Sequence, residues 1–342
     1  MPKGAELPFP SPPAPSDKSL PPRRPHSCRL TAAILAIGLL HCAGVRATEP
    51  CEANAPTYGS PCAAATAVVP PTAVQRRGAW YVATSVNFQV CSLESAAGAF
   101  QTAEACEKLR SELAAKCGFK PSAWNPRCHV VLHASSKSYE ATVGAAGRTT
   151  LASALVKRAQ GGIASRQIDV RSDVDDFLTA ALPHELCHVL LADHSPALPL
   201  WCDEGMALQF DSLEKQQLHD RDLRRSLSSG RALPLASLLT LRQYPAAEDW
   251  PAFYGQSASV VRCLLQLGGP EKLLQFAELQ QSRGVDAALR ELYGLRNAGH
   301  LAEIWHDSLR GSSATPLQLA FSPPVPPADL DPANFLKLAE AR

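Results

Sequence analysis

The sequence predicts an α+β fold, a small mixed sheet with one helix packed against it inside residues 78–206, followed by an all-helical half over 207–312. Three observations carry this. Segments rich in β-branched and aromatic residues, at Trp80–Cys91, Cys128–His133 and Ile168–Arg171, all precede residue 172. From Met206 onward the pattern is helical only, interrupted by Gly and Pro. Between the two lies Pro183–Ala207, PHELCHVLLADHSPALPLWCDEGMA, where residues able to bind a metal crowd together.

A chain of 342 residues that is 46% hydrophobic has ample material for a core. Its 33 basic and 32 acidic residues leave a net charge of +1 with no long basic run, which argues against nucleic-acid binding and electrostatic membrane binding. Prolines crowd into residues 2–25 and 315–332, placing both ends outside the fold, with 313–342 as a tail. Residues 1–29 carry Arg23, Arg24 and Arg29 ahead of the apolar run Leu30–Leu40, which is shorter than the roughly 20 residues of a membrane span. Val45-Arg46-Ala47 is a small-x-small cleavage pattern. Residues 1–47 therefore read as a signal peptide cut after Ala47, and the protein as exported to a periplasm, cell surface or medium. Only an uncleaved signal segment would tie it to a membrane. Residues 48–77, rich in Ala, Pro and Thr, read as a linker.

Export implies an oxidising compartment, so the nine cysteines after the cut are expected to pair with one left over. Cys106 and Cys117 lie on one helix about 16 Å apart and cannot join, since a disulfide spans about 7 Å at most. Cys51 with Cys62 and Cys117 with Cys128 are the expected pairs.

Trp80–Cys91 reads as the first strand. Ala96–Lys116 reads as a helix with Phe100, Cys106, Leu109 and Leu113 on one side and Gly118 as its stop. Cys128–His133 alternates as a second strand; His129 and His133 face the same way on it, as two ordinary strand histidines or as the start of a second metal site. Ile168–Arg171 follows the Gly161-Gly162 turn as a third strand. Ser172, with Asp175 three residues on, can cap the next helix. Pro183 either kinks that helix or marks its true start. The later helices fall at about 206–228, 235–242, 252–267, 270–282, 285–293 and 298–310.

On a helix, His184 and His188 stand one turn apart on one face, a separation that lets two imidazoles bind one metal ion. Glu185 lies beside such an ion and suits a general base. Glu204 supplies a third ligand if the chain turns after Asp193, where Pro196 and Pro199 can force a loop, and returns as a second helix. Two His, one Glu and a water make a tetrahedral catalytic zinc site holding one ion. Leu182, Leu186, Val189 and Leu190 form an apolar arc that leaves both histidines outside it.

H-E-L-C-H-V-L, then P-L-W-C-D-E-G-M-A, then F-Y-G-Q-S-A-S-V-V-R-C-L-L-Q-L-G-G-P-E-K-L-L-Q-F resembles the peptidase MA-like gluzincins, relatives of thermolysin and of the zinc aminopeptidases. The resemblance spans roughly residues 78–310. It implies a thermolysin-like fold with zinc on His184, His188 and Glu204, and Glu185 as the residue that activates water. It also implies that the strand at Ile168–Arg171 forms the lip of the cleft, and that Tyr254 matches in position the tyrosine that steadies the oxyanion in zinc aminopeptidases. A tyrosine packed at a helix start is the other reading of Tyr254. The match departs at Cys187 and Cys202, where small or aliphatic residues are usual, and the G-A-M-E-N exopeptidase signature is missing.

The activity so expected is zinc-dependent hydrolysis of peptide bonds in a peptide or protein substrate. The alternatives are a non-catalytic exported binding module of the same fold and a zinc hydrolase acting on a non-peptide cell-wall amide. Cys187 and Cys202 either form a disulfide that staples the two metal-bearing helices, or remain buried thiols, or bring Cys187 onto the metal.

Overall fold

Because side chains alternate along a strand, every second residue meets whatever covers one face of a sheet. One such row crosses this sheet: Ala83, Val90, Val130 and Ile168 are partners in four successive strands and are fully buried. The computed structural model describes residues 72–120, 122–160, 162–195 and 197–311. Its six-stranded sheet runs in the order β1-β2-β3-β4-β6-β5. Strands β1 (Ala73–Arg77), β2 (Trp80–Thr84) and β3 (Phe88–Ser92) form an antiparallel meander. β4 (Cys128–His133) lies parallel to β3, which requires a crossover, and helix α1 (Ala96–Lys116) provides it. After α2 (Ser136–Val143), the hairpin of β5 (Ala152–Ala159) and β6 (Gly162–Arg171) sets β6 parallel to β4 and leaves β5 at the edge. The mixed α+β class is as the sequence predicts.

Several boundaries differ. The sheet begins at Ala73, inside the stretch 48–77 read as linker; β1 is a polar, largely exposed edge strand and has no apolar alternation to betray it. Trp80–Cys91 is two strands, because Glu107 of α1 gathers the turn between them. Its carboxylate accepts from Ser85 Oγ and Asn87 N at 2.7 Å each and from Asn87 Nδ2 at 2.6 Å. β6 starts at Gly162, ahead of Ile168, and lies between β4 and β5, so among the described residues β5 and not Ile168–Arg171 is the edge of the sheet. Ser172 caps no helix: its backbone N–H donates to His133 O at 2.9 Å and so prolongs the β4–β6 ladder. The next helices are α3 (Phe177–Ala180) and α4 (Leu182–His194), with Pro183 in the first turn of α4, where a missing N–H costs nothing. Pro183 thus marks a start and not a kink.

The helical half comprises α5 (Leu200–Ala207), α6 (Leu213–Ser228), α7 (Leu235–Thr240), α8 (Trp250–Arg283), α9 (Val285–Tyr293) and α10 (Ala298–Gly311). The helix expected over 206–228 is broken at Asp211, after which the Ser212 side chain caps α6. The helices expected at 252–267 and 270–282 run on as α8, bent at Gly269, whose φ of +75° precedes Pro270. One apolar core joins Val90 and Ile168 of the sheet to Leu186 and Leu190 of α4, Trp201 of α5 and Phe276 of α8. Among the described residues no helix is long and apolar enough to cross a membrane. The expected signal peptide, most of the linker with Cys51 and Cys62, and the tail lie outside the described residues.

Candidate metal centre

α4 is pinned to the sheet at its far end. Arg166 of β6, buried, pairs with Asp193, lies over the Trp124 ring with its guanidinium carbon 5.0 Å from the centroid, and donates to Pro126 O at 2.6 Å. Arg158 of β5 donates to the Ala192 carbonyl, satisfying an acceptor of the last turn. With Leu182, Leu186, Val189 and Leu190 buried in the core, the helix has one orientation open to it, and His184, Glu185 and His188 are left half-buried on its opposite side.

α5 brings Glu204 to that side. Its Trp201 is fully buried 5.9 Å from the Phe276 ring, and its Gly205 lies against the backbone of α8. A Cβ at Gly205 would stand 2.6 Å from Ser257 O and 2.4 Å from Val261 Cγ2, so this position accepts no side chain as the helices now pack. The glycine of W-C-D-E-G therefore lets α5, which carries Glu204, pack directly against α8.

His184 Nε2 and His188 Nε2 are 3.1 Å apart, and Glu204 Oε2 lies 3.8 and 3.9 Å from them. A tetrahedral zinc with arms of 2.0–2.1 Å has ligand atoms separated by about 3.3 Å. The three donors need only tenths of an ångström to reach that figure, and they are the metal-competent group found among the described residues. Each imidazole turns its other nitrogen to a carboxylate. His184 Nδ1 is 3.3 Å from Asp211 Oδ1, and His188 Nδ1 is 3.1 Å from Asp203 Oδ2. Both contacts are within ion-pair distance but poorly aligned as hydrogen bonds, leaving the nitrogens without a fully formed partner. An Nδ1 proton directed at each carboxylate leaves both Nε2 lone pairs facing one another and an anionic oxygen. A proton shared between the two nitrogens or a cation bound by all three atoms satisfies that arrangement, so the residues fit a divalent metal.

The titration tendencies have the same origin. Burial pulls His188 down, but Asp203 first, then Glu204 and Glu185, push its pKa up to about 10. Burial pushes the Glu185 carboxyl up; His184 and His188 pull it down without cancelling that push, to which Glu204 adds. Asp211 is held well below the usual carboxylate range, because the contacts from His184 and His219 outweigh its burial. Lys215 Nζ, 3.6 Å from Asp211, offsets part of the negative charge.

No known family model matches the chain, and no curated protein is significantly similar to it.

The four residues expected from the motif, His184, Glu185, His188 and Glu204, are thus brought together. Tyr254 joins them near the start of α8: burial, then the Glu204 and Glu185 carboxylates, raise the pKa of its phenol. Among the described residues its hydroxyl makes no hydrogen bond. Sequence reasoning missed Asp203, Asp211, His219 and Tyr244. Asp203, adjacent to Glu204, was within reach of a search for carboxylates beside the histidines; the others come from elements whose approach has no local signal. His219 Nε2 lies 3.6 Å from Asp211 Oδ2 and its ring 6.1 Å from Tyr254.

The second metal site does not form. His133 Nε2 is bound at 2.8 Å to Asp169, which also accepts from Gln167 Nε2 at 2.7 Å, and no third ligand joins His129 and His133 among the described residues. The cysteine pairings differ too. Cys117, Cys128, Cys187 and Cys202 are all buried free thiols, and Cys187 lies beside both Cys117 and Cys202 without being joined to either. Cys187 follows His184 by three positions, on the face of α4 that enters the core, so its sulfur points away from the metal donors.

Proposed function

We propose that the protein is a metal-dependent hydrolase of peptide bonds, most simply a zinc enzyme. The observation that carries this is the convergence of His184 Nε2, His188 Nε2 and Glu204 Oε2 beside a carboxylate, Glu185, that is not part of the ligand set. A metal bound there supplies Lewis acidity and lowers the pKa of a coordinated water to about 7. Glu185, its proton affinity raised by burial, takes the proton from the attacking water and delivers it to the leaving amine. Tyr254, with its hydroxyl uncommitted, donates to the oxyanion. Edge strand β5 packs beside α4 and among the described residues has one side without a strand partner, which supports binding of an extended peptide as an added strand. The fold is then of the gluzincin kind, and residues 1–47 direct export.

Elemental analysis and turnover of a mixed peptide library test the reading. Glu204→Ala should lose the metal; Glu185→Gln should keep it, fold normally and lose at least 100-fold in rate, roughly the lower end for a general base. A Glu185→Gln protein that cleaves peptides at the native rate would refute it.

A further inference from the structure

Glu204 uses its two oxygens differently. Oε2 faces both histidine nitrogens at 3.8 and 3.9 Å, while Oε1 accepts a hydrogen bond from the Tyr244 hydroxyl. Tyr244 lies forty positions further along the chain, in the segment between α7 and a short turn at Ala247–Asp249. Its ring stands edge-on to Phe253 at 5.7 Å, and the residue is 45% exposed. Packing therefore holds only part of the side chain, and its one buried polar contact is with a metal ligand.

A carboxylate beside a divalent metal can bind through one oxygen or two. With two histidines and a water, one oxygen would make the metal four-coordinate with the water position free for substrate, whereas two oxygens would make it five-coordinate and crowd that position. A donor fixed on the distant oxygen engages its lone pairs and sets the plane of the carboxylate. His184 and His188 have Asp211 and Asp203 within ion-pair distance behind them, whereas Glu204 has a formed hydrogen bond from Tyr244. We propose that Tyr244 is a positioning residue that holds Glu204 to the metal through Oε2 alone and so keeps the substrate's coordination position open. This rests on the metal-centre reading above.

The probe is Co(II) alone, added to metal-free wild type and to Tyr244→Phe, which keeps the ring contact with Phe253. Four-coordinate Co(II) absorbs much more strongly in the visible than five- or six-coordinate Co(II). At full occupancy the wild type should show the strong band and Tyr244→Phe a weak one. Co(II) affinity in the variant, read by chelator competition, should fall by about 10–100-fold. The urea midpoint of the metal-free variant should fall only by the one hydrogen bond to Glu204 that the substitution removes. Identical spectra and affinities would overturn the role, as would a variant whose only change is a lower metal-free midpoint. A wild type that binds no Co(II) would instead refute the metal centre itself and this role with it.

Discussion

Substitution of Gly205 by alanine tests how closely the metal site depends on helix packing. The new Cβ would sit 2.6 Å from Ser257 O and 3.0 Å from Ser257 C, both backbone atoms of α8, and 2.4 Å from Val261 Cγ2. The valine methyl can turn aside, but the backbone cannot. To move Ser257 O from 2.6 Å to the 3.4 Å where ordinary contact begins, α5 and α8 must part by about 0.8 Å. Overpacking of this kind costs about 1–3 kcal/mol. Gly98 in α1 is the control: its added Cβ would meet Ser95 Cβ at an ordinary 3.6 Å, and Gly→Ala inside a helix gains about 0.5–1 kcal/mol. Urea denaturation of the metal-free proteins should therefore move in opposite directions for Gly205→Ala and Gly98→Ala. The displacement of α5 also shifts Glu204 relative to the two histidines, so zinc affinity should change in Gly205→Ala and stay unchanged in Gly98→Ala. A Gly205→Ala protein as stable as wild type, with the same zinc affinity, would show that the α5–α8 approach does not set the site.

Removing the proposed metal should destabilise the fold, because a ligand that binds only the native state stabilises it by mass action. A ligand held at 1,000 times its Kd contributes about 4 kcal/mol. At roughly 2–4 °C per kcal/mol, a chelator should lower the melting temperature by about 10 °C, and an unchanged melt would argue against a bound ion. The seven described cysteines are buried thiols, and burial pushes Cys91 up to about 11 against the pull of Arg77. Maleimide should therefore label them slowly in the native protein and fully in denaturant, with fast native labelling of Cys187 or Cys202 as the contrary result.

What the sequence determined by itself is whatever short-range geometry dictates. A helix places residues i and i+4 together wherever it sits in the fold, so His184 and His188 could be paired, and Glu185 set beside them, without knowing what surrounds them. The limits of α1, β4 and α9 were legible for the same reason: each has a pattern and a stop signal within its own residues. Strands β1 and β5 were not, because an exposed edge strand buries too little to impose an apolar period. Tertiary structure decided the rest of the site. Asp211 reaches His184 because α6 must begin again after the break at Asp211, and Tyr244 reaches Glu204 across forty residues because Phe253 and α8 hold its ring there. Cys187 lies beside Cys117 as well as Cys202 because α4 turns that face toward the end of α1. Such contacts depend on how distant elements pack against a common core, and the spacing of residues along one chain does not record that packing.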